Sequence, residues 1–93
     1  MKRIVEINNG VALEESLGEQ VTIFCFNYIY TGKLVGVNET HVELEDPMIV
    51  YETGELTSRS WKDAQALPHN WFIMKNAIES WGLLNKVYDY EKL

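Results

Sequence analysis

Two short polar clusters, Asn38-Glu39-Thr40-His41 and Lys75-Asn76, are where this chain could do chemistry. Asn and Thr bring hydrogen-bond donors and acceptors, His a ring that stacks or bonds near neutral pH, and Lys a fixed positive charge. The two histidines, His41 and His69, are far apart, and no Ser-His-Asp order, HExxH, CxxC, Walker loop or GxGxxG occurs. Glu43, Glu45 and Asp46 read as a solvated strand face rather than a carboxylate pair, and glycoside chemistry would need a cleft that a chain this short hardly provides. We therefore expect no enzyme, no catalytic residue, no metal, no cofactor and no small-molecule substrate. A His that starts a strand and a Lys-Asn pair that makes a turn are also ordinary surface features, and both readings stand at this point.

The elements that must position these clusters lie mainly in residues 21–46, VTIFCFNYIYTGKLVGVNETHVELED. Two apolar runs joined through Asn27-Tyr28 are followed by the polar tip at 38–40 and a run with acidic residues at alternate positions. Val, Ile, Phe and Tyr at such spacing predict a three-strand meander. Gly32, inside the second run, predicts a bend. A second strand that bends lets a small sheet curl over its own apolar face.

The chain has 93 residues, one domain spanning 1–93, small enough that association with copies of itself would add useful burial. Fourteen acidic against eight basic residues give a net charge of −6, which opposes non-specific attraction to nucleic acid or anionic lipid but leaves room for a few lysines focused on one face. Cys25 is the only cysteine, so no internal disulfide is possible. Its place in an apolar strand makes it a packing residue, and a reducing, cytoplasmic setting is the natural expectation. No apolar run reaches the roughly 18 residues of a membrane span, and Met1-Lys2-Arg3 leads into only a short Ile4-Val5 patch. We expect no membrane partner.

In chain order, Ile4, Val5 and Ile7 predict either a short strand or an unstructured lead-in. Val11, Leu13 and Leu17 then fit one face of a two-turn helix over 10–17, with Asn9 as cap and Gly18 as stop. In the first strand Val21, Ile23 and Cys25 face one way, and Thr22, Phe24 and Phe26 the other. Pro47 is expected to interrupt the ladder, and Glu52-Thr53-Gly54-Glu55 to turn a hairpin. Residues 56–68 are the least legible, an extended hairpin with a helical turn over 61–67 as one option. Over 70–84, Trp71, Met74, Ile78 and Trp81 keep helical spacing, so the residues alone predict a helix. Val87, Tyr88 and Tyr90 predict a short appended strand or a docked tail.

Val21-Thr22-Ile23-Phe24, then Gly32-Lys33-Leu34, then Leu44-Glu45-Asp46 resembles the first motif of the Sm-like family. The stretch from Leu13 through Leu17-Gly18 into Val21 resembles that family's short N-terminal helix running into its first strand. Ile73-Met74-Lys75-Asn76-Ala77-Ile78-Glu79-Ser80 resembles the second motif, in the form found in the bacterial Sm-like RNA chaperone. The three matches come in the family's order and cover about residues 11–81. The resemblance implies an all-β fold, a small bent five-stranded antiparallel barrel with a short N-terminal helix. It also splits 70–84 into two strands, 71–75 and 77–81, and we take that reading over the helix. The expected core is Val21, Ile23, Leu34, Val37, Val42, Leu44 and Ile78.

The resemblance further implies a homo-oligomeric ring whose pore-lining loops hold single-stranded RNA, rich in uridine or adenine, through Asn38, Thr40, His41, Lys75 and Asn76. Here the chain departs from the family. Thr40 stands where relatives carry a stacking aromatic, Met74 and Lys75 replace the Arg-Gly of the archaeal and eukaryotic form, and Asn76 replaces the chaperone's His. Phe24 matches an aromatic that the chaperone uses on its other ring face. A ring that has lost RNA recognition and acts as a structural or protein-interaction module is the alternative. Small Sm-like proteins with degraded motifs, some of viral origin, make that alternative realistic. On burial alone, a first strand apolar on both faces, together with Trp61, Trp71, Trp81, Tyr88 and Tyr90, is expected to need a neighbouring copy as cover.

Overall fold

The computed structural model describes residues 11–84 and 86. Expectations for Ile4 to Ile7, for the Asn9 cap and for Val87, Tyr88 and Tyr90 fall outside these residues. A short helix α1 (Val11–Glu15) leads through Gly18, at φ 90°, into β1 (Gln20–Cys25). Positive φ is the conformation for which Gly carries no side-chain penalty, and it ends the helix where the sequence predicted. Then come β2 (Ile29–Val37), β3 (His41–Glu52), β4 (Asp63–Ala66), β5 (Trp71–Met74), a 3-10 turn (Lys75–Ala77) and β6 (Ile78–Gly82).

Every pairing is antiparallel, in the order β4-β3-β2-β1-β6, with β5 also on β3. β3 serves two partners. Its first residues, 41–44, pair with β5, and its last, 48–52, pair with β4. β4 and β5 thus lie end to end along one side of β3, separated at 67–70. The ladder stays open, because β5 and β6 are not paired with each other. The finding is a mostly antiparallel β-sheet fold with one small helix. Among the described residues no helix is long and apolar enough to cross a membrane.

Two expectations need correction, and a choice between two readings is decided. Six strands form, not five, because residues 63–66 are a strand and the helical turn over 61–67 does not occur. Ala64 is buried between exposed Asp63 and Gln65, a period-two pattern, and the Leu67 N–H donates to the Pro47 carbonyl at 2.9 Å. Pro47 does not end the strand: β3 runs through it. Asp46, at φ 50°, and Pro47 bulge out opposite Gly32, as the register passes from Thr31–Met48 directly to Lys33–Glu45. Gly32 faces this bulge at close range: a Cβ there would sit 3.1 Å from the Glu45 carbonyl, 3.1 Å from Leu44 Cβ and 3.2 Å from Pro47 Cα. Lastly, the segment 70–84 is two strands joined by a 3-10 turn. Its helical stripe is not what the fold buries: Ile73 goes inside, while Phe72 and Met74 on either side are exposed.

The sheet carries a core on each face. On one, Val21, Ile23, Leu34, Val42 and Leu44 are fully buried, joined by Ile73, with Leu13, Val37, Ile78 and Trp81 packed around them. Val37 and Ile78 are therefore half-buried flanks rather than core centre. On the other, Val50, Trp61 and Ala64 form a second cluster, with Ile29, Met48 and Leu84 against it. Trp61, expected to need cover from a neighbour, is only 2% exposed within its own chain. The second face is closed largely by the chain itself.

Candidate functional site

The turn between β2 and β3 is built around one side chain. Asn38 Oδ1 accepts from the Thr40 N–H at 2.8 Å, the His41 N–H at 2.9 Å and the Thr40 hydroxyl at 3.2 Å. The Asn38 N–H in turn donates to the His41 carbonyl at 3.0 Å. Short polar side chains that bond the backbone two or three residues on are the usual means of fixing such tips. Asn38 Nδ2 lies 3.3 Å from His41 Nε2, and the Thr40 hydroxyl lies 3.0 Å from His41 Nδ1. The His41 ring meets Phe72 of β5 edge to face, centroids 5.7 Å apart.

The second cluster comes to the same place. His41 pairs with Met74 in the β3–β5 ladder, and the next residue, Lys75, donates its N–H to the Thr40 carbonyl at 2.8 Å. Asn38, Thr40, His41 and Lys75, separated by more than thirty residues in the chain, thus share one end of β3. Asn76 follows on the 3-10 turn, exposed. Its backbone neighbour Ala77 accepts from the Phe26 N–H at 3.1 Å, so the β1–β2 turn is tied to this end as well. Glu43, two residues along β3 from His41, accepts from Asn70 Nδ2 at 2.9 Å.

Beside Asn76 lies an open groove of about 440 Å³, lined by Phe26, Tyr28, Tyr30, Trp71, Phe72 and Asn76 among others. Phe26, Tyr28 and Phe72 are more than half exposed. Burial pushes the Tyr30 hydroxyl up, the neighbouring Cys25 adds to the rise, and a hydrogen bond from Trp71 offsets part of it. Burial also pushes the Cys25 thiol up, which suits a packing residue and not a reactive one. Reading the sequence missed this groove, because its rings come from strand ends that are remote in the chain. The only local signal was two aromatic pairs, Tyr28/Tyr30 and Trp71-Phe72, next to turn residues. Phe24 is half-buried and does not line the groove.

Among the described residues no group of His, Cys, Asp and Glu could hold a metal ion. The chain matches no protein-family model and no curated protein. The class is defined by its fold alone: a small antiparallel β-protein whose two polar turns meet at one end.

Proposed function

We propose that copies of this chain close into a ring of the Sm-like kind, each sheet rolled into a barrel, and hold single-stranded RNA at the turns 38–41 and 75–76. The observation that carries this reading is the Lys75 N–H bond to the Thr40 carbonyl, which brings the polar clusters of both resembling motifs to one point. The sheet supports the assembly. Among the described residues β5 pairs on one side only, with β3, and exposes Trp71, Phe72 and Met74, an apolar edge of the kind that proteins cover. Among the same residues β6 ends the strand order on the far side, and pairing two unlike edges is a heterologous contact that closes into a ring or grows without limit.

In this reading Lys75 contacts phosphate, Asn76 reads a base edge, and Thr40 and His41 bond or stack. Asn38 contributes by shaping the turn, since its side-chain oxygen already accepts three bonds. Titrating short fluorescent homopolymer RNAs over a range of salt tests it. We expect a salt slope that falls by about 0.7 per lost phosphate contact in Lys75→Ala. No binding at low salt would discard the RNA reading. Light scattering tests the ring separately, and a monodisperse monomer near 10.8 kDa would refute it.

A second reading, a ring that acts as a structural or protein-interaction module, is favoured by one feature of the same turn. The Asn38 amide is engaged within the turn, Thr40 supplies no stacking ring, and the chain carries a net charge of −6. An assembled ring with no RNA affinity would decide for it.

A further inference from the structure

We propose that His41 is a proton-operated catch on the turn that meets Lys75, holding the turn closed when neutral and releasing it, with an added positive charge, when protonated. For RNA this inference rests on the function proposed above. For the turn itself it rests only on the polarity of the hydrogen bonds.

Two backbone N–H groups, of Thr40 and His41, point at one atom of the Asn38 amide at 2.8 and 2.9 Å, so that atom is the oxygen and the amide cannot be turned over. The other amide atom is then Nδ2, which only donates. At 3.3 Å from it, His41 Nε2 has to be the acceptor and carries no proton. A neutral imidazole with a bare Nε2 holds its proton on Nδ1, which lies 3.0 Å from the Thr40 hydroxyl. That hydroxyl accepts from Nδ1 and donates onward to Asn38 Oδ1 at 3.2 Å. The cycle is complete, and each group has one role in it.

A proton on Nε2 breaks this order. Two donors, Nδ2 and Nε2, would face each other, and the fixed amide cannot relieve them. The ring then has to swing away from the amide, which takes Nδ1 off the hydroxyl of Thr40, the residue whose carbonyl receives the Lys75 N–H. The charged groups around the ring are few. Glu43 follows on the same strand face and is held by Asn70, Glu39 is on the turn itself, and Lys75 is on the adjoining 3-10 turn. From β5 the ring meets only Phe72 and its ladder partner Met74, neither of which titrates. An imidazolium here would join Lys75 as a second cation at the end of β3.

Nitrogen-15 NMR of the imidazole rings from pH 8 to pH 5 tests the catch without any ligand, with His69 as the internal control. We expect His41 at pH 8 to carry its proton on Nδ1, and the Thr40 and Lys75 amide signals to shift together as Nε2 takes up a proton. A ring protonated on Nε2 at pH 8, or a titration that leaves both amides unmoved, would overturn the proposal. Asn38→Asp keeps the oxygen that the backbone needs and puts an acceptor in place of the donor, so it should move the transition to higher pH. An unchanged transition would overturn the catch. His41→Gln, a neutral amide in place of the ring, should remove the transition.

The RNA titration repeated at pH 6 and pH 8 then separates the two ideas. We expect the salt slope to steepen at pH 6 by up to about 0.7 per subunit engaged, and His41→Gln to abolish that difference. The NMR transition together with no RNA binding at either pH would sink the proposed function and leave the catch in place. RNA binding with equal slopes at both pH values would overturn the coupling between catch and site.

Discussion

The two faces of this sheet are closed by different means. The face built on Val21, Ile23, Leu34, Val42 and Leu44 takes in Ile73 from β5, with Leu13, Ile78 and Trp81 packed against it. Nearly all of it is aliphatic. The other face has buried hydroxyls at its centre: Thr31 donates to the Val21 carbonyl at 2.9 Å and Thr22 to the Leu84 carbonyl at 2.8 Å, and the two oxygens lie 3.1 Å apart. Its lid comes from far along the chain. Trp61 lies over it, and the Lys86 ammonium stands 4.6 Å from the Trp61 ring centroid while donating to the carbonyls of Thr53 and Glu55 at 2.8 Å each. The first face depends on alternation within strands. The second depends on a loop, one indole and one lysine.

The sharpest way to break this comparison is Trp61→Ala against Leu34→Ala. If the second face is a true core, Trp61→Ala should cost about 3–5 kcal/mol and Leu34→Ala about 2–5 kcal/mol in urea unfolding. A loss under about 1 kcal/mol for Trp61→Ala would reduce the second face to a surface ornament. Lys86→Met comes next. It keeps the stem on Trp61 but loses two charge-assisted bonds, each of the class worth about 1.5–3 kcal/mol, and water at the freed carbonyls should recover part of that. We expect increased amide exchange around residues 53–61, with β1 and β2 unaffected.

Gly32→Ala probes the close approach of β2 to the bulge in β3. The added Cβ must push on backbone atoms at 3.1 and 3.2 Å, so overpacking of about 1–3 kcal/mol should appear as a lower denaturation midpoint. Gly18→Ala, with nothing within 4 Å, should cost less and only through its positive φ. The smallest effect is alkaline. Cys25 and Tyr30 have folded-state pKa values above their ordinary ones, so the folded protein holds these protons more tightly than the unfolded chain. Their contribution is complete below the ordinary thiol and phenol values and is lost as pH rises through the raised ones. A thermal midpoint that falls above neutral pH, and falls less in Cys25→Ala, is the expected record.

How much of this was legible depends on whether the signal was local. The meander, a special position at Gly32 and the helix stop at Gly18 were legible because each rests on alternation or on one glycine. Five of the seven expected core residues are fully buried, and Val37 and Ile78 miss because they sit at the ends of β2 and β6, where the sheet stops covering them. Around β4, four residues with two alanines carry too little alternation to separate an extended hairpin from a helical turn, and the fold takes the hairpin. The strand's conformation comes from the edge of β3 that it joins. At the two polar turns, the bonds that Asn38 and His41 make follow from atoms that only the folded turn brings within bonding distance.

By itself, then, the sequence determined a mostly antiparallel β fold with a tight glycine position at 32 and polar turns at 38–41 and 75–76, because period-two burial and glycine conformations are properties of neighbours in the chain. Tertiary structure decided the rest. It chose strands over a helix for 70–84, since burying Ile73 against Val42 outweighs a helical stripe that has nothing to cover. It placed Trp61 under its own chain, and it joined Thr40 to Lys75, because contacts across thirty residues depend on where β3 bends and which partners its two halves accept.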